Sequence, residues 1–256
     1  FIGEYLSKVA MIVPAKLVEE NKDFGRTINQ LIEIFINKEM KKRNINEFRV
    51  AIVEIFDDGK LPKVYLNEEA KFRLSFKNKK LDQNSIGQII RDLREIKEIE
   101  WHEGVLDKDS AKFFIIKWNK DYWILDFDFR YNKGTAKTRL ERAKEFLECV
   151  KYLDVSKTPH PIIYLLWSVC ELIIDSELYL LPQQKPKKAH RDRKEKIEKF
   201  GSTSNIFSQD FIDIFNKFSE EKNNARYGGE IKMPVDKDFV NNTIKIIERT
   251  IQDIQI

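Results

Sequence analysis

Apolar residues recur at helical spacing between Lys16 and about Lys42, at Leu17, Ile28, Leu31, Ile32, Phe35 and Ile36, which predicts an amphipathic helix. Gly25 weakens the middle of this stretch and marks where it can divide in two. The pattern then changes period. Phe48–Phe56 is rich in β-branched and aromatic residues and stops at Asp57-Asp58-Gly59, a strand followed by a turn. Val64–Leu66 and the alternating Phe72–Phe76 read as further strands, and Asn84-Ser85 opens a helix to about Glu95 with Ile86, Ile89, Ile90 and Leu93 on one face. Phe113–Trp118 and Tyr122–Phe129 are aromatic runs separated by Asn119-Lys120-Asp121, a hairpin pattern. Alternation along the second run puts Trp123, Leu125, Phe127 and Phe129 on one face and Asp126, Asp128 and Arg130 on the other. This half is expected to be an α+β domain around an antiparallel sheet.

Beyond Tyr131-Asn132-Lys133-Gly134 the periodicity is helical throughout. Leu140, Ala143, Leu147 and Val150 form one stripe; Thr158-Pro159-His160-Pro161 breaks the chain and opens a second helix, since proline is tolerated in a first turn. Ile162–Leu180 is apolar on most sides and is expected to be the central helix. Phe207, Phe211, Ile214, Phe215 and Phe218 give a third stripe, and Phe239, Val240, Thr243, Ile247, Ile251 and Ile254 a fourth. The expected architecture is therefore an α+β domain over residues 1–133, followed by a four-helix bundle over 134–256.

The totals narrow the classes of function. With 256 residues, 42% of them hydrophobic and 34% charged, the chain can bury two cores and is expected to be soluble. The longest apolar run, Pro161–Leu181, is interrupted by Ser168, Glu171, Asp175 and Glu177, so no membrane partner is expected. The sequence starts at Phe1 without a signal-peptide pattern; residues ahead of it are expected, and a targeting segment among them stays open. Cys149 and Cys170 both fall in helical patterns and read as buried free thiols in a reducing, cytoplasmic setting. Together with His102, His160 and His190 they form no metal-ligand spacing, so neither a zinc site nor a cofactor is expected. The net charge of +4 is carried by one segment. Between Lys185 and Lys199 stand eight basic residues, Lys187, Lys188, Arg191, Arg193 and Lys194 among them, against three acids. Such a segment is either a phosphate-contacting surface or a solvated connection. It holds no aromatic residue, so it is not itself a stacking platform.

The C-terminal half, from Thr135 to about Ile254, resembles the HEPN family. The likeness rests on RLERAKEFLECVKYL as first helix and PIIYLLWSVCELIIDSELYLL as second. A polar connection with KKAH follows, then a third helix ending in EKNNARYGGE, and VDKDFVNNTIKIIERTI as the last. Its most specific piece is Ala225-Arg226-Tyr227-Gly228-Gly229, which resembles the Ala-x-Tyr-Gly ending of the third helix in one subgroup. The resemblance implies a helical unit that pairs as a homodimer, in a prokaryotic stress, defence or toxin–antitoxin setting. Members that cut RNA carry Arg-x(4–6)-His near the end of the third helix. Here Arg226 is followed as far as Lys232 by no histidine, and Lys222 stands where the subgroup often has arginine; lysine holds phosphate only as a point charge.

The expected function is accordingly the binding of RNA or a nucleotide phosphate, without catalysis or with weak catalysis. Lys222, Arg226 and Tyr227 are the leading residues, with His190 and the basic connection assisting. The alternatives are a metal-independent endoribonuclease in which His190 or Tyr227 replaces the motif histidine, and a dimerising interaction module whose α+β domain recognises a partner protein. Some HEPN domains follow a nucleotidyltransferase with magnesium carboxylates spaced as Asp126 and Asp128 are. No Gly-Ser phosphate turn precedes them here, and Arg130 can pair with Asp128 on the same face, so no metal is assigned.

Overall fold

The computed structural model describes residues 11–20, 23–76, 80–82, 96–101, 106–118, 121–182, 184, 193–199 and 206–254. The chain divides into two compact units, Phe1–Tyr131 and Asn132–Ile256. The first is built on five antiparallel strands in the order β1-β8-β7-β2-β3: β1 (Met11–Pro14), β8 (Tyr122–Asp128), β7 (Ala111–Lys117), β2 (Val50–Ile55) and β3 (Lys63–Leu66). A smaller sheet has the order β5-β4-β6, from β4 (Phe72–Phe76), β5 (Lys80–Asp82) and β6 (Ile96–Trp101). The hairpin read from sequence is present: Lys117 faces Trp123 in register and the Trp118 amide donates to Tyr122 O at 3.0 Å.

The two faces of the large sheet carry separate cores. Ala51, Val53, Phe113, Ile115 and Leu125 face the helices, while Ile52, Phe114, Ile116 and Ile124 face the other way, onto Ala70 and Phe72. Burial on both sides explains why Phe113–Ile116 is an unbroken apolar run instead of an alternating one. The helical stretch is α1 (Ala15–Glu19) and α2 (Asp23–Leu31), which continues through a π-helical turn, Ile32–Asn37, into α3 (Lys38–Arg43). Gly25 lies inside α2 and does not break it. A Cβ there would come within 2.1 Å of the Leu17 carbonyl oxygen, so this glycine permits the close approach of α1. The short strands β1, β5 and β6 escaped the sequence reading. The helix expected from Asn84 to Glu95 lies outside the described residues.

The second unit consists of α4 (Lys133–Lys151), α5 (Pro159–Leu180), a short helical segment at 193–199, α6 (Gln209–Tyr227) and α7 (Lys237–Asp253). Local chemistry sets the ends. Ser208 Oγ caps α6 by accepting the Phe211 amide, Asp236 caps α7 by accepting that of Phe239, and Gly228 closes α6 in the left-handed region at φ 75°. The four long helices share one core, in which Leu147, Leu166, Ile173, Phe211, Phe215, Phe218 and Ile247 meet. Cys170 is buried in it, and burial pushes its thiol pKa upward. Cys149 corrects the sequence reading: it is exposed, because Ala143, Leu147 and Val150 take the inward stripe of α4. Among the described residues, no helix is long and apolar enough to cross a membrane.

Candidate phosphate-binding corner

Helix α5 is apolar enough to sit in the middle of its unit, yet its first turns carry His160, Tyr164 and Trp167, spaced to share one face. That face meets the last turns of α6. His160 Nε2 lies 2.9 Å from the Gly229 carbonyl oxygen; a carbonyl only accepts, so Nε2 carries the proton. Tyr164 and Trp167 are in ring contact at 5.5 Å, and the Lys222 ammonium stands 5.0 Å from the centre of the Trp167 ring. A cation over an aromatic face is held by the ring quadrupole.

The corner where α6 ends is held from several sides. Glu221 is buried; its carboxylate accepts the Lys232 amide at 3.2 Å and the Asn224 side-chain amide at 3.0 Å. The chain after the helix is thereby folded back on it. The Gly229 amide donates to Asn224 O at 2.9 Å, and a Cβ on Gly229 would lie 2.7 Å from Asn224 Oδ1, so a larger residue would displace the Asn224 side chain. Within this frame Arg226 and Tyr227 occupy the last turn and point to solvent. The guanidinium carbon is 5.3 Å from the Tyr227 ring centre, and the tyrosine is 74% exposed. Among the described residues neither Lys222 nor Arg226 is in an ion pair. Two cations at a helix C-terminus also offset the partial negative charge of its last carbonyls, which would otherwise repel an anion.

The structure treats the basic segment differently. Arg193 is turned inward: Nε is 2.6 Å from Asp175 Oδ1, and the guanidinium makes a second bond to Oδ2 at 2.9 Å. It also lies 3.8 Å from Glu171, and Arg139 approaches Asp175 at 3.9 Å. A guanidinium held by two carboxylates has less of its charge to offer a phosphate, and Arg193 fastens the 193–199 segment to α5. Lys194 beside it is exposed. Lys187, Lys188, His190 and Arg191 lie outside the described residues. Asp175 and His160 are 15 residues apart on α5, about 22 Å along the axis at 1.5 Å per residue. The Asp175 anchor of the basic segment and the His160 side of the Lys222–Tyr227 corner are therefore well separated along the central helix, with Trp167 and Glu171 one turn apart between them.

The histidine that reaches the corner is His160. Sequence reasoning passed over it because its neighbours there are more than 60 residues away, as the Gly229 contact across a separation of 69 shows. Trp167 was missed for the same kind of reason, since Lys222 lies 55 residues away from it; Glu221 and Asn224 bond within 11 residues and were missed because spacing alone does not reveal that a helical carboxylate is buried.

In the first unit, polar groups are consumed internally. Glu54 is fully buried and its carboxylate accepts from Tyr65 Oη at 2.8 Å, the Asp107 amide at 2.6 Å and Ser110 Oγ at 3.0 Å. Burial first, and then the Glu54 carboxylate, push the Tyr65 hydroxyl pKa up to about 12. The Lys117 ammonium lies between two rings, 4.2 Å from Phe48 and 5.2 Å from Trp123, and burial lowers its pKa. Arg130 Nε pairs with Asp128 at 2.7 Å, and among the described residues no cluster of three or more metal-ligating side chains forms. Comparisons with protein-family models, with curated proteins and with solved structures found no match for this chain.

Proposed function

We propose that this chain binds RNA or a nucleotide phosphate at the α6 corner, with Lys222 and Arg226 contacting phosphate and Tyr227 beside them. On this reading the second unit is a HEPN-like helical bundle that pairs as a homodimer and is non-catalytic or weakly catalytic. The observation that carries it is the pairing pattern. Lys222 and Arg226 face aromatic rings and no carboxylate at a rigid turn, whereas Arg193 is saturated by acids. Cations already partnered by rings keep their charge available to an anion.

The test is the binding of labelled mixed-sequence RNA across a salt series, beside Lys222→Ala/Arg226→Ala. Affinity should fall steeply with salt, and the double variant should bind at least tenfold more weakly. Its log–log salt slope should be shallower by about 1.4 for two lost single-strand contacts. Equal affinity of parent and variant overturns the assignment, and no binding by either points to an interaction module.

His160 supports a second reading, a metal-independent endoribonuclease. With Nε2 donating to Gly229 O, Nδ1 is left as the lone-pair nitrogen that can take a proton from a ribose 2′-hydroxyl. The same incubations, without divalent metal, read this out: cleavage by the parent that His160→Ala abolishes, with RNA binding retained, favours it over the binding role.

A further inference from the structure

An exposed aromatic side chain is common on protein surfaces and needs no explanation by itself. Tyr227 differs from the others in its surroundings. It is the last residue of a 19-residue helix, followed at once by the left-handed Gly228, so its backbone is fixed while its ring stands in solvent. The guanidinium of Arg226 lies over the ring, and Lys222, one turn earlier, holds a second unpaired charge on the same side of the helix. Tyr152, 87% exposed, provides the contrast: the neighbouring Lys151 is engaged with Glu148 at 2.6 Å and Glu248 at 2.8 Å. One tyrosine thus stands beside available cations and the other beside cancelled charge.

We infer that Tyr227 is a stacking platform for an unpaired nucleobase, whose flanking phosphates rest on Arg226 and Lys222. This deepens the phosphate-binding assignment of the corner and rests on it. Every base offers a π-face, so a single ring accepts any of them; the cation over the ring adds attraction to the negative π-face and to the phosphate. A base in a duplex has both faces covered by its neighbours, so the ligand class this arrangement selects is single-stranded RNA, with duplexes excluded. The basic segment carries no aromatic residue between Lys185 and Lys199, so among these basic candidates only the α6 corner joins charge to an exposed ring.

The experiment compares three fluorescently labelled probes on the full chain by anisotropy: a ten-nucleotide oligoadenylate, an abasic oligomer with the same number of phosphates, and a ten-base-pair RNA duplex. The parent should bind oligoadenylate about tenfold or more tighter than the abasic oligomer, in keeping with the usual contribution of one stacked base. Tyr227→Ala should abolish the preference, bringing the ratio of oligoadenylate to abasic affinity to about one. Tyr227→Phe should keep the preference, and Tyr152→Ala should behave as the parent. If the parent binds the abasic oligomer as tightly as oligoadenylate, or if Tyr227→Ala weakens both equally, stacking is overturned and the phosphate reading stands. Tighter binding of the duplex than of oligoadenylate also overturns it. Binding of none of the three probes overturns both.

Discussion

The two halves of α5 hold their neighbouring cations in opposite ways. In its C-terminal half Asp175 and Glu171 draw Arg193 inward, where its side chain is 13% exposed and that of Asp175 only 4%. In its N-terminal half Trp167 and the turn bonded by His160 receive Lys222 and the end of α6, where Arg226 and Tyr227 remain open to solvent. Both arginines were candidates on charge alone. What separates them is the chemistry of the facing helix: carboxylates neutralise a cation and fix it, while rings hold it and leave its field intact. A count of basic residues says where charge is made, and only the partners say whether it is spent.

The sharpest way to break this contrast is at Asp175. Asp175→Ala leaves Arg193 in a mostly buried place without its bidentate partner, and removing one member of a buried ion pair typically costs about 3–5 kcal/mol. Denaturant unfolding of the full chain should show a loss of that size in the transition of the helical unit. A loss below about 1 kcal/mol, the range of exposed pairs, would mean that Arg193 is not a fastening and that the basic segment regains it as a phosphate contact.

How much of this was legible beforehand follows from which forces are local. The stripe Leu140–Val150 and the hairpin strands on either side of Asn119-Lys120-Asp121 depend on spacing over a few residues, and the structure has them where the sequence puts them. Of the strands the sequence did not show, β5 is only 3 residues long, β1 runs into Pro14, and β6 loses alternation where Lys97-Glu98 separates Ile96 from Ile99. The site was legible as to the tip of α6 and illegible as to its surroundings. Which histidine, tryptophan or carboxylate meets that tip depends on how α5 docks on α6. His160, read from sequence only as part of no metal-ligand spacing, lies against the tip of α6, and Arg193, read among the basic candidates, is paired with Asp175.

The sheet unit offers a second test of spent polar groups, with a smaller effect. Tyr65 donates to the buried Glu54 carboxylate, and its pKa is raised from an ordinary 10 to about 12, by burial first and then by that carboxylate. The folded state therefore holds the hydroxyl proton more tightly than the unfolded chain does. The stabilisation is complete below about pH 10 and is lost progressively as pH rises from there through about 12. Stability of the sheet unit, followed by near-ultraviolet circular dichroism in denaturant, should decline over that window. Tyr65→Phe should be less stable at neutral pH and should flatten the decline, because lysines titrating in the same range are common to both proteins. An equal slope in the two proteins would show that the Tyr65 hydroxyl is not committed to Glu54.

The smallest effect is the one that decides how the binding tests are to be read. The Lys222 ammonium stands 5.0 Å from the centre of the Trp167 ring, and its stem can lie along the helix as an apolar side chain does. Lys222→Met keeps that stem and removes the charge, so it should cost about 0.5–1 kcal/mol, the usual worth of a partly exposed cation–π contact. That is several times less than Asp175→Ala and too little to unfold the chain, so a loss of RNA affinity in Lys222→Met reports the missing charge and not a disordered corner. If Lys222→Met instead destabilised the helical unit as strongly as Asp175→Ala, the two halves of α5 would not differ in kind. Lys222 would then be, like Arg193, a part of the framework, and Arg226 and Tyr227 alone would remain to carry the site.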